Sequence, residues 1–150
     1  MGLGSKKLTA GARRFAVLTL TTITTAVTGV TTNGGPWGDL TDIVVATFQA
    51  TFTYGSGGTT AKFWLQTSFD AGVTWVDVAN FAFTTSTART IHSVRSATAV
   101  AATYVATDGT LADNTIKDGL LGDRLRVKYT TTGTYAGGTT IQIDVVTKAS

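Results

Sequence analysis

Any acid–base chemistry on this chain has to run through aspartate. The 150 residues carry nine acidic side chains, all of them Asp, with one histidine, His92, and no cysteine. Glycoside hydrolysis needs a carboxylic acid and a carboxylate flanking the scissile bond. Asp108-Gly109, Asp113-Asn114 and Asp118-Gly119 are instead turn dipeptides. Asp77 and Asp144 fall in strand-like runs, with nothing in the sequence to pair them. A hydrolytic triad would depend on His92, and no Gly-x-Ser-x-Gly elbow is present to present a nucleophile. One imidazole without a thiol does not make a usual zinc set. Asp108, Asp113, Asp118 and Asp123 recur at every fifth residue, an oxygen-rich spacing that suits calcium only weakly, because the EF-hand order is missing. The expectation is a chain with no catalytic residue, no metal and no cofactor.

The pattern with the clearest geometry is Ser68-Phe69-Asp70-Ala71-Gly72-Val73-Thr74-Trp75, read as Ser-x-Asp-x-Gly-x-Thr-Trp. A short carboxylate at Asp70 accepts backbone N–H groups, Gly72 supplies a positive φ, and Thr74 and Trp75 open the returning strand. The motif resembles the Asp-box hairpin of sialidases. In that family the box is structural and lies away from the active site, and the chemistry needs a tyrosine–glutamate pair and an arginine cluster. A chain of this length with no glutamate and a single box does not supply them. Ser68, Asp70, Gly72, Thr74 and Trp75 are therefore read as a structural turn, with Trp75 packing on a sheet.

The elements around that turn read as β. Threonine is about one residue in five, there are 17 glycines and one proline, and helix formers are scarce. Ile43 to Tyr54 alternates most cleanly, with Val44, Ala46, Phe48, Ala50 and Phe52 on one face. Ala61 to Phe69, Leu125 to Tyr129 and Ile141 to Val145 also alternate, Trp75 to Phe83 returns from the turn as the next strand, and Arg13 to Val30 reads as one long strand or two short ones. Arg89 to Val94 suits a strand, Ser96 to Val105 a strand or a short helix, and Asp108 to Gly122 a long loop. These elements predict an all-β fold: one β-sandwich or jelly-roll-like domain over residues 12–150, preceded by a flexible basic arm over residues 1–11.

The arm begins the basic residues Lys6, Lys7, Arg13 and Arg14, ahead of Phe15 to Leu20. That order mimics a secretory leader, but the apolar run dissolves into Thr21-Thr22-Ile23-Thr24-Thr25, so the segment is read as retained. Met1-Gly2 lacks the downstream hydroxyl that myristoylation needs, since Lys6 holds that position. Arg124, Arg126 and Lys128 form a second basic group along one strand face. Aromatic residues are not interleaved with either group, so docking on protein is favoured over nucleic acid. Trp37, in a glycine-rich loop, and Trp64, on the polar side of its strand, are candidate interface or sugar-stacking residues if exposed, and core if buried. Only 14% of the residues are charged and the net charge is +3, a sparse surface suited to permanent assembly or to a secreted, sugar-facing protein. No segment reaches the length of a membrane span.

From Phe63 to Ala79 the chain reads Phe-Trp-Leu-Gln-Thr-Ser-Phe-Asp-Ala-Gly-Val-Thr-Trp-Val-Asp-Val-Ala. This phrase, on a Thr-, Gly- and Ala-rich background without cysteine, resembles small virion β-proteins of tailed bacteriophages, of the head-decoration (cement) or head-fibre kind. The resemblance implies a non-enzymatic structural protein on the capsid surface that binds the major capsid protein or other virion proteins as a homo-oligomer, typically a trimer. It takes no small-molecule substrate. The alternative it leaves open is a tail or receptor-binding protein that reads carbohydrate through Trp37 or Trp64.

Overall fold

The computed structural model describes residues 12–31, 40, 42–97 and 103–149. The expected arm over residues 1–11 and the Trp37 loop lie outside the described residues. The strands are β1 (Ala12–Thr22), β2 (Val27–Thr31), β3 (Ile43–Thr53), β4 (Ser56–Gly57), β5 (Thr60–Ser68), β6 (Val76–Phe83), β7 (Ala88–Arg95), β8 (Arg124–Thr132), β9 (Tyr135–Ala136) and β10 (Thr140–Ala149). They form two four-stranded sheets, β1-β10-β3-β7 and β2-β8-β5-β6, with β4-β9 as a small ribbon. All pairings are antiparallel. Leaving the ribbon aside, this is the eight-strand jelly-roll order, and it meets the all-β sandwich expectation.

The core lies between the inner faces of the sheets. Ala46, Phe48, Ala50 and Phe52 of β3 and Ile141, Ile143 and Val145 of β10 are buried from one side. Ala61, Phe63 and Leu65 of β5 and Leu125 and Val127 of β8 are buried from the other. Phe52 stacks on Phe83 with ring centroids 4.8 Å apart, tying the two sheets together. Tyr135 closes one end: its ring meets Phe52 edge-on, and its hydroxyl donates to the Thr84 carbonyl at 2.8 Å. The Ser96–Val105 expectation is corrected in part. Arg95 ends β7, Ala97 makes only an isolated bridge with Leu120, and 103–105 are in neither helix nor strand; 98–102 lie outside the described residues.

β6 departs from simple alternation. Its register with β5 runs from Ala61↔Phe83 to Leu65↔Ala79 and then shifts by one residue to Gln66↔Asp77. A one-residue insertion flips the facing of every later side chain. Without the shift, Asp77 would continue the inward series of Phe83, Phe81 and Ala79. With it, Asp77 turns to the outer face of its sheet beside Gln66, and Val78 and Ala79 both join the core.

There the Asp77 carboxylate gathers the long connection between β7 and β8. It accepts from the backbone N–H of Gly109 (2.8 Å), Thr110 (3.0 Å) and Leu111 (3.1 Å), from Thr107 Oγ1 (2.8 Å) and from Gln66 Nε2 (2.8 Å). Consecutive backbone donors converging on one anion form a nest. The connection also pairs along the free side of β6: Asp77 N–H donates to Thr107 O, Asn80 N–H to Thr115 O, and Lys117 N–H to Val78 O. The outer face of this sheet is thereby roofed, and Asp77 itself is fully buried.

Replacing Asp77 by Asn leaves an amide N–H₂ among donors. We expect Asp77→Asn to cost about 3 kcal/mol, the range for losing charge-assisted bonds to a buried group. Denaturant unfolding measures the loss, and amide exchange at Gly109–Leu111 should accelerate more than exchange in β3 or β10. Unchanged protection at those amides would show that the roof is held by other means.

Candidate functional site

The turn between β5 and β6 is built by short polar side chains. Ser68 Oγ donates to Asp70 Oδ1 at 2.8 Å and accepts from Gly72 N–H at 2.8 Å. Asp70 Oδ1 accepts from Thr74 N–H at 2.8 Å, and Asp70 Oδ2 from Thr74 Oγ1 at 2.6 Å. Gly72 takes φ 88°, the conformation expected of it. Ala71 takes φ 58°, which the sequence did not signal; an alanine there tolerates a left-handed strain of about 1–2 kcal/mol that the Ser68–Asp70–Thr74 bonds offset. The bonds from the Thr74 hydroxyl, the Thr74 N–H and Ser68 hold the Asp70 pKa down from the usual 3.8 to about 2. Ser68, Asp70, Gly72 and Thr74 are joined by these bonds.

Trp75 sits over β8. The Arg126 guanidinium lies 4.5 Å from the centre of its ring, a cation–π contact. Arg126 Nε also donates to Gln66 Oε1 at 2.7 Å, and Gln66 Nε2 bridges Asp77 and Asp108. Burial beneath the roof lowers the Arg126 pKa from its ordinary value, against the pull of Asp108 and Asp77. Lys128 Nζ lies 3.0 Å from Asp108 Oδ1. Partial burial pushes the Asp108 pKa up, but its bonds to Gln66 and Lys128 outweigh this, and the net direction is down.

Arg124, Arg126 and Lys128 share one face of β8, opposite buried Leu125 and Val127, but that face is not a free basic surface: Arg126 bonds to Gln66 beneath the connection, and Lys128 pairs with the half-exposed Asp108. Arg124 makes no ion pair among the described residues, and its side chain lies against Gly72. Of the two alternatives for Trp64, the structure shows the buried one: it is 6% exposed, with Nε1 donating to the Leu111 carbonyl at 2.9 Å, so it offers neither a sugar platform nor an interface. Arg14 makes a 3.5 Å surface pair with Asp144. Lys6, Lys7 and Trp37, and the side chain of Arg13, lie outside the described residues.

The evenly spaced aspartates separate. Asp108 turns to Lys128, Asp113 to Lys62 at 3.0 Å, and Asp118 to Arg95 at 2.6 Å. No group of three metal-ligating side chains occurs among the described residues. His92 stacks on Phe81 at 4.5 Å, with Nε2 3.0 Å from the Asn80 carbonyl, which is a packing role.

One surface feature was not legible in the sequence. Where the turn meets the start of the roof, a cleft of about 430 Å³ opens, lined by Phe69, Thr74, Trp75, Val76, Tyr104, Ala106 and Leu120. Tyr104 is fixed by its hydroxyl, which donates to the Asp77 carbonyl at 2.8 Å, and Lys117 Nζ lies 5.0 Å from its ring centre. Phe69, Val73 and Val105, within or beside the lining segments, are 62%, 79% and 78% exposed. The signal available was Phe69 and Val73 interrupting a polar turn; nothing tied Tyr104 or Leu120 to it.

No family model matches the chain, and no curated protein matches it. Among solved structures, a family 11 carbohydrate-binding module from Clostridium thermocellum, in complex with a β-1,3-1,4-mixed-linked tetrasaccharide, is similar at 11% identity. The likeness covers 93% of this chain and 89% of that one, with a TM-score of 0.31. Function has to be read from this chain's own residues.

The depressed Asp70 pKa fixes a pH window. A carboxyl whose folded pKa lies below its unfolded value adds stability above the unfolded value and loses it as pH falls through the folded one. The turn should therefore tighten the fold above pH 3.8 and weaken it from there down to about 2. Thermal melts of the wild type and Asp70→Asn should differ at neutral pH and converge below about pH 2. A constant difference across that window would remove Asp70 as the titrating group.

Proposed function

We propose that this chain is a non-catalytic structural protein of a tailed-bacteriophage virion that docks on the capsid surface through the apolar cleft and rim beside its Asp-box turn. The observation that carries the docking surface is the convergence of exposed Phe69 and Val73 with the Phe69–Trp75–Tyr104 cleft on a turn fixed by internal hydrogen bonds. Apolar patches rimmed by polar residues mark interaction sites, and a preordered anchor avoids the ordering cost of binding. The virion assignment rests on the resemblance carried by Phe63 to Ala79. A non-catalytic role is supported by the side chains that chemistry would need: Asp77, Asp108, Asp113 and Asp118 are held by internal partners, and His92 packs on Phe81.

The occupant suited to the cleft is an apolar or aromatic side chain projecting from the capsid protein. A sugar ring would stack on Trp75 or Tyr104 but needs hydrogen-bonding partners as well. Thr74 Oγ1 is already bonded to Asp70, and the Tyr104 hydroxyl to the Asp77 carbonyl. Repetition of one weak contact over a capsid lattice gives firm attachment without strong individual sites.

Co-sedimentation with empty capsids of the same virus tests this. Saturable binding is expected. The double variant Phe69→Ser, Val73→Ser should weaken it at least about tenfold, the effect of losing about 1.4 kcal/mol at a hot spot. Its melting temperature should stay close to wild type, because both side chains are exposed. Absence of capsid binding, together with retention on a glycan array that Trp75→Ala abolishes, would transfer the cleft to carbohydrate recognition.

A further inference from the structure

The two sheets end in four edge strands, and three of them are blunted. β1 carries register shifts between Ala16 and Leu18 and between Leu18 and Thr21. β2 is short and shifts between Val27 and Val30. β6 is paired along its free side by the roof. β7 differs: its register with β3 runs from Val45↔Arg95 to Phe52↔Ala88 without a shift, and it contains no proline.

The facing of the β7 main chain follows from its last bonds. Ser96 N–H donates to Val44 O, continuing that register, so even-numbered residues bond to β3. Odd-numbered residues turn outward. Arg95 N–H accordingly meets Asp118 Oδ1 at 2.7 Å instead of β3. Asp118 caps the strand end and leaves the N–H and C=O groups of Arg89, Ile91 and Ser93 facing away without a partner among the described residues. The Ile91 side chain, on the outer surface, is 58% exposed. A regular edge with no partner strand among the described residues is a template for another strand.

We propose that the occupant is a second copy of this chain, its β7 paired antiparallel to this one about a two-fold axis through Ile91, so that two four-stranded sheets become one continuous sheet. The edge is self-complementary in that register. Ile91 exchanges both main-chain bonds with the partner's Ile91, and their side chains meet. Arg89 faces the partner's Ser93, so like charges do not oppose each other. Arg89, which has no ion pair among the described residues, lies diagonal to the partner's Arg95, whose charge Asp118 already offsets. Sliding the pair so that Arg89 faces the partner's Arg95 sets two arginines together and spends a donor already held by Asp118. A three-fold axis cannot place β7 against itself, so this contact is distinct from the trimer implied by the virion resemblance.

Sedimentation equilibrium of the full chain at tens of micromolar tests the contact. The expected mass is twice the 15.6 kDa of one chain. Ile91→Lys puts like charges together on the axis and should return the mass to one chain without lowering the melting temperature. The chain has no native cysteine, so single-cysteine variants report the register. Across an antiparallel hydrogen-bonded pair, Cα atoms lie about 5.5 Å apart, within disulfide reach. Ile91→Cys should crosslink to a dimer under mild oxidation. Arg89→Cys should not, because its two copies lie four residues out of register, about 14 Å apart. A monomeric or trimeric mass, or equal crosslinking of the two variants, overturns the proposal.

Discussion

A buried carboxylate must be given hydrogen-bond donors, and much of this molecule is arranged around giving them to Asp77. A sandwich strand faces the core and solvent alternately, and neither side suits a fully buried aspartate. The register shift beside Leu65 takes Asp77 off the core side, and the Gly109–Leu111 nest with Thr107 and Gln66 then replaces water around it. An anion so surrounded holds its ligands in one geometry, because each bond lost leaves both a donor and part of a charge unsatisfied. The roof is thus fixed by a polar interaction, although the surface it covers includes the indole of Trp64.

Roofing one sheet changes the meaning of the residues beneath it. Trp64, Gln66, Arg126 and Lys128 occupy positions that face solvent in a two-layer sandwich, and here they form a second, polar interior. Arg126 links that interior to the turn by lying against Trp75, while Gln66 joins Arg126 to Asp77. The cleft inherits its rigidity from both sides. One wall is the turn held by Ser68, Asp70 and Thr74; the other includes Tyr104, anchored on the main chain of Asp77.

The sequence made the two-layer part of the structure readable and left the third layer hidden. Alternation in Ile43–Tyr54 and Ile141–Val145 gave strands and their buried faces, because each of those strands has one apolar side. The Ser68–Trp75 spacing gave its turn, since every bond in it is local. The burial of Trp64 and the partners of Arg126 and Lys128 were not legible because they depend on the connection before β8, which carries no periodicity of its own; Leu111 lies 47 residues from Trp64. The side taken by Asp77 was equally hidden, since a bulge reverses parity without marking the sequence. Tyr104 and Leu120 reach the cleft only through that roof, so the pocket could not be read before the roof was known.

The roof also connects surfaces that would otherwise be independent. Its early part walls the cleft through Tyr104 and Ala106. Its later part bonds along β6 through Thr115 and Lys117, and it reaches the other sheet at Asp118, which takes Arg95 by its main chain and its guanidinium. Leu120 then returns to the cleft. One segment ordered on Asp77 thus shapes the apolar site on one sheet and sets where the free edge of the other stops. Disturbing the Asp77 nest should therefore be felt at both places, whereas disturbing Asp70, whose partners are all within its own turn, should be felt only at the cleft. The separation follows from the range of the bonds: local ones shape a turn, and the long-range ones to Asp77 join the layers.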